Sequence, residues 1–307
     1  MGHTIVMTGA TRGLGRVAVE RIVDGDPEAH LVLLARGAAG SELAAHLGQG
    51  GRAVTSIPTD LLALASVRAA ADELIQRLDT GDLPPLRGFV GNAGLLYTNN
   101  VTESPDGFEA TFAVNVLANH VLLRLLQGRF KAPSRIVLTV SDAHFGDFRH
   151  NAGMMPAPSW RDPASLARIR AFPNPKTVTA GGAAYSTSKL AAIYLVHEYA
   201  RRLPQGVGIV AYNPGFVPGT GLSREAGAAV RFVGRRIMPL MTLTPMASSQ
   251  KTAGQHLADV ALGRILAPSG SYIDRTREVS SSKESYDPDR ERRLWETVED
   301  LRLSIAS

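Results

Sequence analysis

The chain has 307 residues, of which 44% are apolar and 20% charged, and it contains no cysteine. This composition is typical of a globular protein, and the lack of cysteine excludes disulfides, thiolate metal sites and a cysteine nucleophile. The formal charge is +5, but no groove-reading module accompanies it, so we expect no nucleic-acid partner and one basic pocket for a phosphorylated ligand. No stretch approaches about 18 uninterrupted apolar residues, which predicts a cytoplasmic protein without a membrane span.

Short β-branched runs alternate with longer helical patterns along the chain, which predicts βαβ units. With right-handed crossovers, these units form an α/β fold: a single Rossmann-type, doubly wound parallel sheet of about seven strands in the order 3-2-1-4-5-6-7, with helices on both faces. The third to sixth strands are continuous enough to be buried on both faces. We expect strands at 3–8, 30–35, 52–58, 87–91, 135–140, 207–213 and near Tyr272, and helices at 13–24, 61–78, 108–130 and 184–202.

Two segments interrupt this alternation within a single predicted domain, 1–307. Residues 145–182 form a long insert after the fifth strand, and residues 216–245 follow the sixth. Loops this long in a compact domain are usually functional, and both begin where ligands bind in open α/β sheets. Both segments are rich in apolar and Met side chains, so they are either walls for a bulky hydrophobic substrate or packing surfaces.

The first strand leads into a glycine loop with the spacing G-x-x-x-G-x-G. Such a loop lets backbone approach a pyrophosphate at a helix N-terminus, although a turn that needs positive φ would use glycine too. Its position between a strand and an amphipathic helix favours a dinucleotide site. The candidate contacts are Gly9, Thr11, Arg12, Gly13, Leu14 and Gly15.

The end of the second strand indicates which dinucleotide binds. NAD sites hold an acid there for the ribose, but here Arg36 takes that place and no carboxylate occurs before Glu42. The planar guanidinium of Arg36 suits a 2′-phosphate, and Arg12 can form the other side of the clamp. We therefore predict NADP(H).

Tyr185 and Lys189 are four residues apart on the last long helix, so they share a face. A cation beside a phenol favours phenolate and should lower its pKa towards the range useful for acid–base catalysis. An exposed pair on an amphipathic helix is the alternative interpretation.

Taken together, these motifs resemble those of the short-chain dehydrogenase/reductase family, in order over roughly residues 3–220. The matching segments are the glycine loop, Asp60-Leu61, Gly91-Asn92-Ala93-Gly94, Asn115, Ser141, Tyr185 with Lys189, and Asn213-Pro214-Gly215-Phe216-Val217.

The resemblance implies a role for each position. Ser141 would donate a hydrogen bond to a substrate carbonyl oxygen, Tyr185 would give that oxygen a proton, and Lys189 would bind the nicotinamide ribose. Asn115 would hold a water that links Lys189 to solvent. The other implied cofactor contacts are Asp60, Leu61, Asn92, Ala93, Gly94, Pro214, Gly215 and Val217; Thr220 lies further along than the family's usual threonine.

Two departures from the family pattern narrow the resemblance. Gly91 replaces the first Asn of N-N-A-G, and Tyr185 follows Ser141 by 44 positions, far more than is usual. The subgroup of retinol dehydrogenases and light-dependent protochlorophyllide reductases also has an extended gap here. The chain's S-D-A-H segment at 141–144 and L-W-E at 294–296 are similar to that subgroup's motifs.

We therefore predict an NADP(H)-dependent enzyme that interconverts a carbonyl and an alcohol on a bulky, hydrophobic small molecule. The alternatives are a redox-sensing regulator that binds the same cofactor, or a C=C reductase; protochlorophyllide reduction would be expected to use a Cys. Ser141, His144, Tyr185 and Phe216 are the candidate substrate contacts, although His144 is also a candidate loop anchor. We expect no metal. A homodimer or homotetramer is plausible through the helices after the fourth and fifth strands, unless the insert prevents it.

Overall fold

The computed structural model describes residues 2–218 and 247–304, which are organised around one eight-stranded sheet. The strand order is β3-β2-β1-β4-β5-β6-β7-β8, so the predicted order of seven strands is confirmed. The first seven strands pair in parallel, and β8 pairs antiparallel with β7. The strands are β1 His3–Thr8, β2 Ala29–Ala35, β3 Val54–Pro58, β4 Leu86–Gly91, β5 Phe130–Thr139, β6 Val207–Asn213, β7 Tyr272–Asp274 and β8 Arg277–Val279.

The prediction that β3 is buried on both faces was wrong. Of its five residues only Ile57 is buried. β3 is the outermost strand on its side of the sheet, so it lacks a neighbour on one side and its faces are only partly covered. By contrast, β4 to β6 lie in the centre of the sheet, and apart from Ala132 and Pro133 near the start of β5 their apolar residues are buried as expected.

The described helices occupy both faces of the sheet. The helix over 110–126 is continuous and contains a π-helical turn at Ala113–Leu117. The helices are α1 Gly13–Gly25, α2 Ala38–Leu47, α3 Leu64–Thr80, α4 over 110–126, α5 Phe148–Asn151, α6 Pro163–Leu166, α7 Val178–Arg202, α8 Gln250–Ala261 and α9 Pro288–Ser304.

Helix α7 begins six residues earlier than predicted. The hydroxyl of Thr177 caps it by accepting a hydrogen bond from the backbone N–H of Ala180, 3.3 Å away. The irregular insert after β5 therefore ends at this cap and not at Gly182, and the small residues before Tyr185 belong to the helix.

Alternation along the strands divides the core into two apolar layers. On β1, Val6 faces one layer while Ile5 and Met7 face the other, because successive side chains of a strand point to opposite faces. One layer is completed by α3, α4, α7 and α9, and the other by α1, α2 and α8. Both layers leave the carboxyl edge of the strands free for the loops that carry the candidate site.

The C-terminal helix α9 covers α7. Leu294, Trp295 and Val298 point into the same apolar layer as α7, and the Trp295 ring meets Tyr199 of α7 edge-on at 4.9 Å. Glu299 accepts a hydrogen bond from His120 of α4 at 2.6 Å. The face of α7 that meets α9 is thus occupied by the chain itself.

Within the described part of the chain, no helix has both the length and the apolarity needed to cross a membrane.

Candidate active site

The glycine loop is built so that backbone, and not side chains, faces the start of α1. Gly9 and Gly13 have φ of 68° and 56°, which side chains disfavour. A Cβ on Gly15 would lie 2.0 Å from the carbonyl oxygen of Gly9. The loop can therefore fold against the first turn of α1 only with glycine at position 15.

Helix α1 begins without a capping side chain. Its N-cap residue, Arg12, makes no side-chain capping bond, and its first turn contains no acid. The first backbone N–H groups of a helix need acceptors from outside it, and a phosphate supplies them. Together with the close packing of the loop against Gly15, this arrangement fits the pyrophosphate of a dinucleotide.

Replacing Gly15 with Ala should weaken dinucleotide binding by at least about tenfold, because overpacking of this kind typically costs 1–3 kcal/mol and here displaces the loop itself. Titration of the variant with NADPH, followed by fluorescence, measures the effect. Gly128→Ala is the control, since nothing lies within 4 Å of a Cβ there. Unchanged affinity in Gly15→Ala would show that this loop does not hold the dinucleotide.

Arg36 lies at the end of β2, where the sequence predicts it. Its side chain is 51% exposed and stands 3.8 Å from the carboxylate of Asp60. An exposed pair at this distance is weak, so the guanidinium is available to a phosphate. Arg12 is exposed as well, and no ion pair to it is found among the residues that the structure describes. Both basic side chains therefore fit a 2′-phosphate.

Asn92 and Ala93 tie β4 to the glycine loop. The Asn92 amide donates to the carbonyl oxygen of Gly9 at 3.0 Å, and the Ala93 N–H donates to the Thr8 hydroxyl at 3.1 Å. Gly94 follows them in the same turn. The predicted contacts from two distant parts of the sequence thus meet at one edge of the sheet.

Asn115 lies in the π-helical turn of α4 and is buried. Its side-chain oxygen accepts a hydrogen bond from the Leu95 N–H at 2.8 Å. Its side-chain amide donates to the Leu95 carbonyl at 3.0 Å and to the Ser188 hydroxyl at 2.9 Å. The side chain is therefore engaged within the protein, and the water that Asn115 would hold stays a prediction. π-Helical turns in α-helices frequently mark functional sites.

Tyr185 and Lys189, in the first half of α7, come together with Ser141, which follows the carboxyl end of β5. The Lys189 ammonium lies 5.6 Å from the centre of the Tyr185 ring and donates to the Thr139 carbonyl at 2.9 Å. Ser141 shares a side-chain hydrogen bond with Tyr185. Tyr185 and Lys189 are only 6% and 4% exposed, which excludes the alternative of an exposed pair on a helix surface.

The pKa of Tyr185 differs from the sequence prediction. Burial raises it to about 12, and the hydrogen bond from Ser141 only partly opposes this effect. Lys189, which was expected to lower the pKa of Tyr185, is not among its causes, and burial lowers the pKa of Lys189 itself to about 8. The phenol is therefore protonated at neutral pH, the form in which it can donate a proton.

His144 is a loop anchor in this structure. It is 1% exposed, its Nδ1 donates to the Ser141 carbonyl at 2.7 Å, and its Nε2 accepts from the Ser282 N–H at 3.2 Å. Burial lowers its pKa to about 4, so it is neutral at physiological pH. We assign it this structural role in place of the predicted substrate contact, because neither ring nitrogen is left for a ligand.

The segment after β6 turns sharply at Pro214 and Gly215. Gly215 has φ of 73°, and its N–H donates to the Asn213 side chain at 3.1 Å. Val217 is buried, whereas Phe216 is partly exposed at the carboxyl edge. Most of the predicted wall at 216–245, with Thr220, lies outside the described residues.

The insert divides into two parts. Phe172 is buried, and Trp160 meets Tyr194 edge-on at 4.8 Å, so the second part packs onto the body of the protein. In the first part, Phe148 is 78% exposed and Met154 is 36% exposed. Among the large apolar side chains at 145–177, only these two of the first part are exposed.

Comparison with known proteins identifies the family. Residues 3–153 match the family model described as short chain dehydrogenase. Retinol dehydrogenase 13 of Homo sapiens is 31% identical, covering 96% of this chain and 82% of the relative. The chain belongs to the short-chain dehydrogenase family.

Two further relatives place it within that family. A putative daunorubicin C-13 ketoreductase of Streptomyces sp. (strain C5) is 31% identical over 87% of this chain and 86% of the relative. The chloroplastic protochlorophyllide reductase A of Hordeum vulgare is 28% identical over 97% and 79%. The expected resemblance to the subgroup of retinol dehydrogenases and protochlorophyllide reductases is confirmed.

Solved structures of other proteins share the fold. A blue fluorescent protein from a metagenomic library, in complex with NADPH, has a TM-score of 0.63 at 22% identity, over 89% of this chain and 96% of that one. A 3-ketoacyl-(acyl-carrier-protein) reductase from Brucella melitensis, complexed with NADH, has 0.62 at 18%, over 89% and 96%. Structures of this fold thus occur with either nicotinamide cofactor.

The structure explains why this short-chain dehydrogenase has glycine at position 91. A Cβ there would lie 2.5 Å from the side-chain oxygen of Asn119, so Asn119 of α4 fills the space next to the turn. The Asn119 amide donates to the Asn115 carbonyl at 3.1 Å. Asn119 could not be identified from the sequence, since only the packing of α4 on β4 brings the two positions together.

Proposed function

We propose that this short-chain dehydrogenase is an NADP(H)-dependent oxidoreductase that interconverts a carbonyl and an alcohol. The observation that carries the proposal is the buried Tyr185, which shares a hydrogen bond with Ser141 and has Lys189 beside it, on the same sheet edge as the glycine loop. Burial keeps the phenol protonated at neutral pH, which suits reduction of a carbonyl.

The chemistry divides between the cofactor and the chain. Bound NADPH supplies a hydride to the carbonyl carbon. Ser141 donates a hydrogen bond to the carbonyl oxygen, and Tyr185 transfers its proton to that oxygen as the carbon–oxygen double bond becomes single. Lys189, charged below about pH 8, would bind the nicotinamide ribose. In the oxidative direction Tyr185 takes the proton back.

Arg36 and Arg12 support NADP(H) over NAD(H). Both are exposed basic side chains, one in the glycine loop and one at the end of β2, and the acid typical of NAD sites is absent from the end of β2. The weak pair between Arg36 and Asp60 at 3.8 Å competes little with a phosphate.

For the substrate we propose a bulky, hydrophobic carbonyl or alcohol. The outward-facing Phe148 and Met154 of the insert, together with Phe216, provide adaptable apolar contacts. The names of two relatives, a retinol dehydrogenase and a daunorubicin ketoreductase, agree with large apolar substrates.

A pairing of two chains on the side of α7 that faces α9 would have to displace α9, so we propose that any homodimer or homotetramer uses another face. The cytoplasmic location stays a prediction.

A panel of ketones, aldehydes and polycyclic quinones tests the proposal, with NADPH oxidation followed at the nicotinamide absorbance. We expect turnover of the larger apolar carbonyls, and faster turnover with NADPH than with NADH. Tight NADPH binding without turnover of any carbonyl would support the redox-sensing alternative. Turnover of conjugated alkenes alone would support C=C reduction.

A further inference from the structure

Asp142, which directly follows Ser141, joins three strand ends. The same carboxylate oxygen accepts two hydrogen bonds, one from the Asn213 amide at 2.6 Å and one from the Tyr272 hydroxyl at 2.9 Å. Asn213 ends β6, Tyr272 begins β7, and both are buried. The short 3-10 turn that starts at Ser141 is therefore tied to the two neighbouring strands through Asp142.

The groups around Asp142 oppose one another in their effect on its pKa, which is raised overall because of burial. The two donors favour the carboxylate, while burial raises the pKa of Asp142 and the nearby charge of Asp274 raises it further. Asp274 accepts from the same Asn213 amide at 2.9 Å and pairs with Arg275 at 3.4 Å. Arg275 lowers the pKa of Asp142. The two acids thus share one amide and have one cation near them.

This charge acts on the proposed proton donor. The negative charge of Asp142 raises the pKa of Tyr185, in the same direction as burial and against the hydrogen bond from Ser141. Asp274 is not among the groups that shift the pKa of Tyr185, and His144, the histidine of the same turn, is neutral. Of the two acids that are hydrogen-bonded to Asn213, only Asp142 thus affects the pKa of Tyr185.

We propose that Asp142 is a positioning residue for Ser141 and Tyr185: its hydrogen bonds to Asn213 and Tyr272 fix the turn that carries Ser141, and its carboxylate acts on the phenol held beside that turn. The proposal rests on the proposed function and specifies how this chain places and tunes its proton donor. Nothing in the general motifs requires an acid directly after the serine.

Asp142→Asn removes the negative charge and keeps the two hydrogen bonds, because the amide oxygen can still accept from Asn213 and Tyr272. Alcohol oxidation needs the phenolate, so its rate rises with pH through the pKa of Tyr185. Loss of a nearby negative charge lowers that pKa, and we expect the midpoint to move down by about half a pH unit, with oxidation about threefold faster below it. The KM for NADP⁺ should stay unchanged.

Asp274→Asn is the matched control. It removes the same charge beside the same Asn213 amide, but it should leave the midpoint where it is. An unchanged midpoint in Asp142→Asn, or an equal shift in both variants, would overturn the assigned effect of the charge.

Asp142→Ala removes the tie as well, and we expect kcat for reduction to fall by about tenfold or more because Ser141 loses its fixed position. Wild-type kcat in this variant would overturn the tie. If Asp142→Ala does not fold, Tyr272→Phe removes one of the two bonds and keeps the charge; it should lower kcat without lowering the pH midpoint, and a wild-type kcat there would overturn the tie equally.

The titration of Tyr185 can also be followed without turnover. The difference in phenolate absorbance between the protein and its Tyr185→Phe variant, both with NADP⁺, reports the midpoint of this one tyrosine. A protein that reduces no carbonyl would contradict the proposed function, while a downward shift of this midpoint in Asp142→Asn would still support the effect of Asp142. An absent shift would contradict it independently.

Discussion

Replacing Tyr185 with Phe should lower kcat for carbonyl reduction by about a thousandfold or more, with NADPH affinity within about twofold of wild type. Loss of a positioned general acid typically costs 10²–10⁴ in rate, and here the phenol is also the group that shares a hydrogen bond with Ser141. The ring is buried, so Phe preserves its packing. Steady-state rates and NADPH titration measure the two effects separately.

Tyr286→Phe is the control for this substitution, since it removes the same atom from a tyrosine that is 53% exposed. Its hydroxyl accepts only from the Ser281 N–H in the described structure, at 3.2 Å, and its loss should not alter turnover. Normal rates in Tyr185→Phe would show that the proton comes from another group.

Arg36→Ala should weaken NADPH binding by about 10–100-fold and leave NADH binding nearly unchanged. Hydrogen bonds to a charged group are worth about 1.5–3 kcal/mol, and only NADPH carries the 2′-phosphate that this guanidinium would bind. Dissociation constants for both dinucleotides, measured at one salt concentration, give the preference directly.

Arg77→Ala is the matched control, because it removes a partly exposed guanidinium that is paired with Glu73 on α3, away from the end of β2. It should affect neither dinucleotide. An equal loss of NADPH and NADH affinity in Arg36→Ala would indicate a disturbed loop, and unchanged NADPH affinity would contradict the proposed cofactor preference.

The sequence predicted the strands well at their carboxyl ends, where β-branched runs stop abruptly. It predicted the amino end of β5 poorly: the strand begins at Phe130 and passes through Pro133, a residue that propensity places outside strand interiors. Helix α2 was missed because it follows Gly37 and is rich in small residues with little apolar periodicity.

The candidate site was predictable where local motifs define it, as with the glycine loop, Asn115 and the Tyr185–Lys189 pair. Its electrostatics were not. The direction of the pKa shift of Tyr185 depends on burial by the whole fold, and a neighbouring cation is the only cause that spacing reveals. Asn119 and Asp142 were missed for a related reason, since their partners lie on other strands and helices far along the chain.

Strand β8 has a consequence for how the molecule meets others. A sheet that ended on β7 would leave a row of amide and carbonyl groups on which a foreign strand could add. Instead the chain folds back as Arg277–Val279 and pairs antiparallel with β7. The new edge is three residues long, fully exposed and charged at Arg277 and Glu278, which makes it a poor template for strand addition. This short hairpin therefore protects the β8 side of the sheet against edge-to-edge aggregation.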